Sequence, residues 1–198
     1  MKHLQQELVE IYAYQSAKEG KPYCGDSYYF TATEEYFLCV LADGLGSGRY
    51  AYEASSAVVE VVKDNMTDDV ETLMKRCNEV LAQKRGAAVA VLKVNFSTRE
   101  FEYSCVGNIR FYLYTPTGKT IYPLPIRGFL SGRPQNIRTQ RFLYEPNSKF
   151  LFHTDGFAVN NTKTLIKSRQ SVKIIANEIK NKQFSKEDDS TFIIGSLR

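Results

Sequence analysis

The chain of 198 residues is 43% hydrophobic and 24% charged, with 12 glycines, 6 prolines and a formal net charge of +4. This is the composition of an ordinary globular protein, and it excludes disordered and fibrous classes. The sequence contains no run of 18 apolar residues and no apolar N-terminal core of signal-peptide length. We therefore expect no membrane span and a cytoplasmic location.

Strand-like segments dominate the chain. Nine segments rich in β-branched and aromatic residues are predicted strands: 8–15, 28–32, 36–41, 87–96, 101–107, 109–115, 120–124, 150–153 and 191–196. Apolar residues at three- and four-residue spacing predict helices over 51–64, 69–84 and 171–182. Short polar turns at 97–99 and 116–119 favour antiparallel hairpins. We predict an α+β fold of two packed sheets flanked by helices, forming one domain over residues 1–198.

The positive charge is concentrated in residues 115–150, which hold six basic residues and one acidic residue, Glu145, for a net charge of +5. Such a patch suggests an acidic or phosphorylated partner, and a solvated face is an equally good interpretation. Arg127 and Arg133 flank the Phe129–Leu130 pair in a Pro/Gly-bounded loop and are candidate substrate-docking residues. Nucleic acid is disfavoured, because the neighbouring aromatic residues could equally be core.

The aspartates are distributed unevenly. Three of the eight, Asp64, Asp68 and Asp69, lie between the first two predicted helices and resemble capping residues. The other five lie at the ends of apolar strand-like runs: Asp26, Asp43, Asp155, Asp188 and Asp189. Carboxylates that converge beside buried strands repel one another unless a cation compensates them. Without a cluster of His or Cys, these oxygen ligands select Mg²⁺ or Mn²⁺.

A tight turn is the alternative interpretation of each Asp-Gly pair, Asp43-Gly44 and Asp155-Gly156. The metal interpretation instead uses Gly to turn the backbone sharply, so that a carbonyl can join the carboxylate as a ligand. The segment 44–48 has GxGxG spacing rather than GxGxxG, which argues against a dinucleotide loop. Cys105 and His153 lie in strand-like segments and are predicted to be core residues, and the four cysteines, which form no CxxC pair, are predicted to be reduced.

Five motifs together resemble the metal-dependent protein phosphatases of the PPM, or type 2C, family. In chain order they are Cys24-Gly25-Asp26-Ser27, Ala42-Asp43-Gly44-Leu45-Gly46-Ser47-Gly48, Val106-Gly107-Asn108, His153-Thr154-Asp155-Gly156 and Asp188-Asp189-Ser190-Thr191. Within that family, Lys18–Lys21, Lys84–Ala87 and the segment 122–132 are similar to the serine phosphatases of the stressosome in Gram-positive bacteria.

The resemblance implies an α-β-β-α sandwich with a two-metal site at one end of the sheets. In the family pattern Asp43 bridges both ions, the Gly44 carbonyl binds one, and Asp155 and Asp188 complete the shell of the second. Asp26 matches a catalytic acidic residue that holds water. Asp189 matches a supporting position where relatives often carry Asn. The arginine that eukaryotic members use near their N-terminus to hold phosphate has no counterpart beside Asp26.

The resemblance also implies the reaction and the partners. It predicts hydrolysis of phosphoserine or phosphothreonine on stressosome scaffold proteins of the RsbS and RsbR kind, which would damp the general stress (sigma-B) response. Two alternatives remain open at this point. One is a catalytically silent phosphoprotein-binding module of the same fold, and the other is a basic nucleic-acid-binding α+β domain, which leaves the aspartates unexplained.

Overall fold

The computed structural model describes residues 1–157, 162–181 and 187–198. In those residues the strands are β1 (Lys2–Gln5), β2 (Val9–Ser16), β3 (Asp26–Ala32), β4 (Tyr36–Gly44), β5 (Ala87–Asn95), β6 (Glu100–Val106), β7 (Arg110–Tyr114), β8 (Thr120–Ile121), β9 (Gln140–Leu143), β10 (Ser148–His153) and β11 (Ser190–Leu197). The helices are α1 (Arg49–Asp64), α2 (Val70–Val80), α3 (Thr162–Lys167) and α4 (Val172–Asn181). No helix within this described part is long and apolar enough to cross a membrane.

The strands form two sheets in which neighbouring strands are antiparallel. One sheet has the order β1-β2-β11-β10-β7-β8, and the other has the order β3-β4-β5-β6-β9. The predicted hairpins at 97–99 and 116–119 join β5 to β6 and β7 to β8. The strands β6 and β7, although consecutive, belong to different sheets, so the chain crosses between the sheets at residues 107–109.

Three apolar clusters separate the four layers. The largest lies between the sheets and contains stacked and tilted aromatic rings such as Phe101, Phe111 and Phe150. A second cluster joins β4 and β5 to α1 and α2, and a third joins the other sheet to α3 and α4. This arrangement confirms the α-β-β-α sandwich, because each sheet buries one face against the other sheet and one against helices.

Helix α2 begins one residue after Asp69, whose carboxylate accepts a hydrogen bond from the Thr72 amide at 2.8 Å. That is the geometry of an N-cap, and it lowers the pKa of Asp69. Asp68 does not cap the helix. Its carboxylate pairs instead with Arg76 at 2.7 Å, so the capping role expected for Asp68 was wrong.

The structure contains three elements beyond those expected from the sequence. The edge strands β1 and β9 and the short helix α3 were not predicted. Strand β8 ends at Ile121 rather than at residue 124, because Pro123 and Pro125 lack the amides that a ladder needs. Helix α2 ends at Val80, four residues earlier than expected, and the backbone turns at Gln83 with φ of 66°. Residue 182, the predicted end of the last helix, lies outside the described residues.

Candidate active site

The five strand-end aspartates meet at one end of the sandwich. Asp26 and Asp43 are direct partners in the β3–β4 register. Strands β10 and β11 are antiparallel neighbours, so the end of β10 and the start of β11 lie at the same edge of the other sheet. Asp155 follows β10, and Asp188 and Asp189 precede β11. Both sheets therefore contribute carboxylates to one site.

Asp26 is the most deeply buried of these groups, with 2% of its surface exposed. Its Oδ2 accepts hydrogen bonds from the hydroxyls of Thr154 (2.8 Å) and Thr191 (2.7 Å). Its Oδ1 has no hydrogen-bond partner among the residues that the structure describes. Burial raises the pKa of Asp26 to about 7 against the opposing effect of the two hydroxyls, and the charges of Asp189 and Asp155 add to the rise.

Asp43 lies at the centre of the cluster. Its pKa is raised to about 8, mainly by burial and then by the charges of the neighbouring carboxylates of Asp26, Asp155, Asp188 and Asp189. Asp43 is thus surrounded by like charge from both sheets. A carboxylate in this position can bind the same cation as the neighbouring carboxylates.

Asp189 uses both of its oxygens within the fold. They accept hydrogen bonds from the amides of Lys18 and Gly25, each at 2.8 Å. Asp189 thereby holds the loop between β2 and β3 against the start of β11. Asp188 differs, because it is exposed and accepts only a bond from the adjacent Asp189 amide at 2.9 Å among the contacts described.

Asp155 is exposed, and its Oδ2 accepts a hydrogen bond from the Asn108 side-chain amide at 2.6 Å. Asn108 lies in the crossover between β6 and β7, so this bond links both sheets at the site. Asn108, Thr154 and Thr191 stand in the motifs identified in the sequence, but no role was expected for them. Thr154 and Thr191 hold Asp26.

Gly44 and Gly156 are both required for close packing. Neither has a positive φ. A Cβ on Gly44 would overlap the backbone of Ala51 in α1, and a Cβ on Gly156 would overlap the Asp189 carbonyl. The sharp turn expected at Gly44 is absent, because Gly44 is the last residue of β4. Asp155 and Gly156 do form the expected turn, in which the Phe157 amide donates to the Thr154 carbonyl at 3.3 Å. Gly44 ends β4 and lets α1 approach the aspartates closely.

The residues at this site suit a hard divalent cation. The unpartnered Oδ1 of Asp26 and the raised pKa values of Asp26 and Asp43 both report carboxylate charge without local compensation. In the described ranges, no three His, Cys, Asp or Glu side chains are close enough to enclose an ion by themselves. Carbonyl oxygens and water would have to complete the shell, as is usual for Mg²⁺.

Other candidate nucleophiles lie in the core. Cys105 is buried, and burial raises the pKa of its thiol to about 12. Burial lowers the pKa of His153 to about 4, so it is neutral at physiological pH. All four cysteines are free, and three of them are buried, as predicted.

The candidate docking loop adjoins this site. Arg127, Arg133 and Phe129 are exposed, whereas Leu130 is buried and pairs with Ala87 through two backbone hydrogen bonds. Of the Phe129–Leu130 pair, only Phe129 is therefore available at the surface of the loop. The Asn78 side chain of α2 fixes the loop through the amides of residues 131 and 132 and the carbonyl of Arg133.

Comparisons with known proteins agree with this architecture. A model of the Stage II sporulation protein E (SpoIIE) family matches residues 33–195. The phosphoserine phosphatase RsbX of Bacillus subtilis (strain 168) is 45% identical over 191 residues, which cover 96% of each chain.

Solved structures show the same likeness. A crystal structure of RsbX in complex with magnesium superposes with a TM-score of 0.95 at 44% identity, covering 100% of this chain and 99% of that one. A chain from work on the bacterial stressosome, as a modular system adapted to control secondary messenger signalling, has a TM-score of 0.85 at 25% identity, covering 96% and 100%. The chain therefore belongs to the SpoIIE family of PP2C-type serine phosphatases.

Proposed function

We propose that this protein is a metal-dependent phosphoserine and phosphothreonine phosphatase that acts on stressosome scaffold proteins of the RsbS and RsbR kind. One observation carries the proposal: four aspartates from two sheets surround Asp43, in a chain 45% identical to a phosphoserine phosphatase over 96% of its length. In this role residues 1–198 act as one domain in the cytoplasm and negatively regulate the general stress (sigma-B) response.

The proposed metal ligands are Asp43, the Gly44 carbonyl, Asp155 and Asp188. Asp43 would hold the ions as the central ligand, because its carboxylate lies within the field of all the other aspartates. Two Mn²⁺ or Mg²⁺ ions, when bound, supply an acidified water and neutralise charge on the phosphoryl group. The relative RsbX was crystallised with magnesium, which supports this choice of ion.

The chain's own residues orient the reacting groups. The hydroxyls of Thr154 and Thr191 hold Oδ2 of Asp26, which leaves Oδ1 to accept a hydrogen bond from the attacking water. Asn108 fixes the rotamer of Asp155, and Asp189 anchors the loop that carries Asp26. Supporting residues of this kind keep ligands in a productive geometry.

Substrate discrimination is assigned to surface outside the aspartates, because every phosphoserine presents the same phosphoryl group. Arg127 and Arg133 are exposed on a loop fixed by Asn78. A pre-ordered loop loses little entropy on binding, and its cations suit a phosphorylated, acidic partner.

A catalytically silent binding module is the second candidate. It would need only the fold and the basic loop, and nothing in it would require carboxylates to converge from both sheets. The retained aspartates and their supporting hydrogen bonds favour the enzyme.

Removal of divalent ions is expected to abolish activity. Hydrolysis of an aryl phosphate should stop in excess chelator and return with Mn²⁺ or Mg²⁺, while circular dichroism shows that the fold persists. The fold should survive because a core of this size does not depend on metal. Full turnover in chelator would contradict the proposed metal mechanism.

Single substitutions of the aspartates are expected to lower activity by amounts that depend on the role of each residue. Asp43→Asn should lower kcat more than about 100-fold, beyond the usual effect of a supporting residue around a metal. Asp155→Asn and Asp188→Asn should lower kcat by a smaller factor. Asp68→Asn is the matched control, because Asp68 pairs with Arg76 away from the site, and it should retain activity. Comparable losses at Asp43 and Asp68 would overturn the assignment.

Loss of the loop arginines is expected to affect only protein substrates. The double variant Arg127→Ala/Arg133→Ala should dephosphorylate a phosphorylated RsbS-type protein about three- to tenfold more slowly, with a smaller loss at high salt. Hydrolysis of a small aryl phosphate should be unchanged. Lys63→Ala/Lys75→Ala removes two exposed charges on the helices and serves as the control. Wild-type rates on both substrates would exclude docking by this loop.

A further inference from the structure

Arg85 lies beside the segment that follows the central aspartate. The β4–β5 register pairs Gly44 with Ala87, and the Leu45 amide donates to the Gly86 carbonyl at 3.0 Å. These bonds place the residue before Gly86 next to the loop that leaves Asp43. The Arg85 Nη1 lies 2.7 Å from the position that a Cβ on Gly46 would occupy. The guanidinium therefore packs against the Gly46 backbone, which a larger side chain would prevent.

Tyr50 holds the same guanidinium from α1. The Arg85 Cζ lies 5.2 Å from the centre of the Tyr50 ring, within the range of a cation–π contact. Stacking on a ring leaves the in-plane N–H groups of arginine free to donate. Arg85 is thus an exposed cation that packs on Gly46 and Tyr50 and whose donors remain available to a ligand.

Two other arginines near the aspartates already have partners. Arg49, at the start of α1, contacts Glu53 at 2.7 Å. Arg110, at the Asp155 side of the site, hydrogen bonds with Tyr112 and lies in the field of Asp155. For Arg85, no carboxylate lies within salt-bridge distance among the residues that the structure describes. Its charge is therefore uncompensated beside a site that would attract a phosphate ester.

We propose that Arg85 binds the non-bridging oxygens of the substrate's phosphoryl group. This inference rests on the proposed phosphatase function. The planar guanidinium fork matches two phosphate oxygens, and such charge-assisted hydrogen bonds are among the strongest that side chains make. Arg85 thereby takes the phosphate-binding role for which the sequence offers no arginine beside Asp26.

The position of Arg85 also connects the aspartates to the docking loop. A Cβ on Gly86 would lie 3.0 Å from the Phe129 ring and 3.4 Å from the Leu45 side chain, so the loop and the Asp43 segment meet at Arg85. A groove of about 570 Å³ continues from there and is lined by Lys84, Arg85, Phe129 and Arg133 among others. A phosphoserine held by Arg85 would leave its flanking residues in that groove.

Three variants test this proposal: Arg85→Ala, Arg85→Lys, and Lys63→Ala as a control that removes one exposed charge at the other end of α1. Arg85→Ala should lower kcat/KM about 10- to 100-fold on both an aryl phosphate and a phosphoprotein, the range for a charge-assisted hydrogen bond. Arg85→Lys should recover part of this loss, and Lys63→Ala should match the wild type. Added guanidinium ion should restore activity to Arg85→Ala, which a merely structural loss would not allow.

Calorimetric binding of inorganic phosphate to the Mg²⁺-loaded protein provides an independent readout. Arg85→Ala should bind phosphate about tenfold more weakly than the wild type. Unchanged phosphate affinity, or a loss confined to the phosphoprotein substrate, would overturn the role of Arg85. A wild-type protein that binds phosphate but shows no Mn²⁺-dependent turnover would instead overturn the proposed function, with the affinity difference still deciding the role of Arg85.

Discussion

Electrostatic repulsion among the carboxylates at one end of the sandwich is the constraint on which the site depends. Asp43 is surrounded by four other aspartates, and its pKa is raised to about 8. Asp26 is almost fully buried, and its pKa is raised to about 7. A folded protein tolerates such a concentration of like charge only where the surrounding structure holds the carboxylates in place. Clusters of this kind usually occur at functional sites.

The neighbouring structure comes from both sheets and from α1. The β3–β4 ladder fixes Asp26 opposite Asp43, and the hydroxyls of Thr154 and Thr191 tie Asp26 to the other sheet. Asn108 adds a bond at the crossover, where it binds Asp155. Helix α1 closes on Gly44, which leaves no room for a side chain. The aspartates are thus held by rigid elements, which is how a precise catalytic geometry is maintained.

Local patterns in the sequence were sufficient for much of this fold. Alternating apolar residues and turn formers identified the strands that carry the aspartates, and helical spacing identified α1, α2 and α4. The pattern failed at β9, where Gln140–Leu143 lies at a sheet edge with no fully buried residue, and at α3, which is only six residues long. Short edge elements owe their structure to tertiary contacts, which local propensity does not contain.

The candidate site could also be predicted in part from local sequence patterns. Motifs at strand ends identified the aspartates, because repulsion between unpaired carboxylates is a chemical argument that needs no coordinates. The supporting residues could not be found this way. Asn108 and Asp155 are 47 residues apart in sequence, and Asp26 and Thr191 are 165 apart. The sequence placed Leu130 with Phe129 in the candidate docking loop, but Leu130 pairs with Ala87 and is buried.

The most direct test of the central claim compares the stability of the wild type and Asp43→Asn as a function of pH. A carboxyl group whose pKa is raised on folding binds its proton more tightly in the folded state, so stability is lost as pH rises from about 4 to about 8. His153 acts in the opposite direction, since its pKa is lowered, but its effect is common to both proteins and cancels in the comparison. In chelator, the two proteins should have similar melting temperatures near pH 4, and Asp43→Asn should melt several degrees higher at pH 8.5. Excess Mg²⁺ should reverse that order by stabilising only the wild type. Equal melting temperatures at pH 8.5 in chelator, with no response to Mg²⁺, would contradict the account.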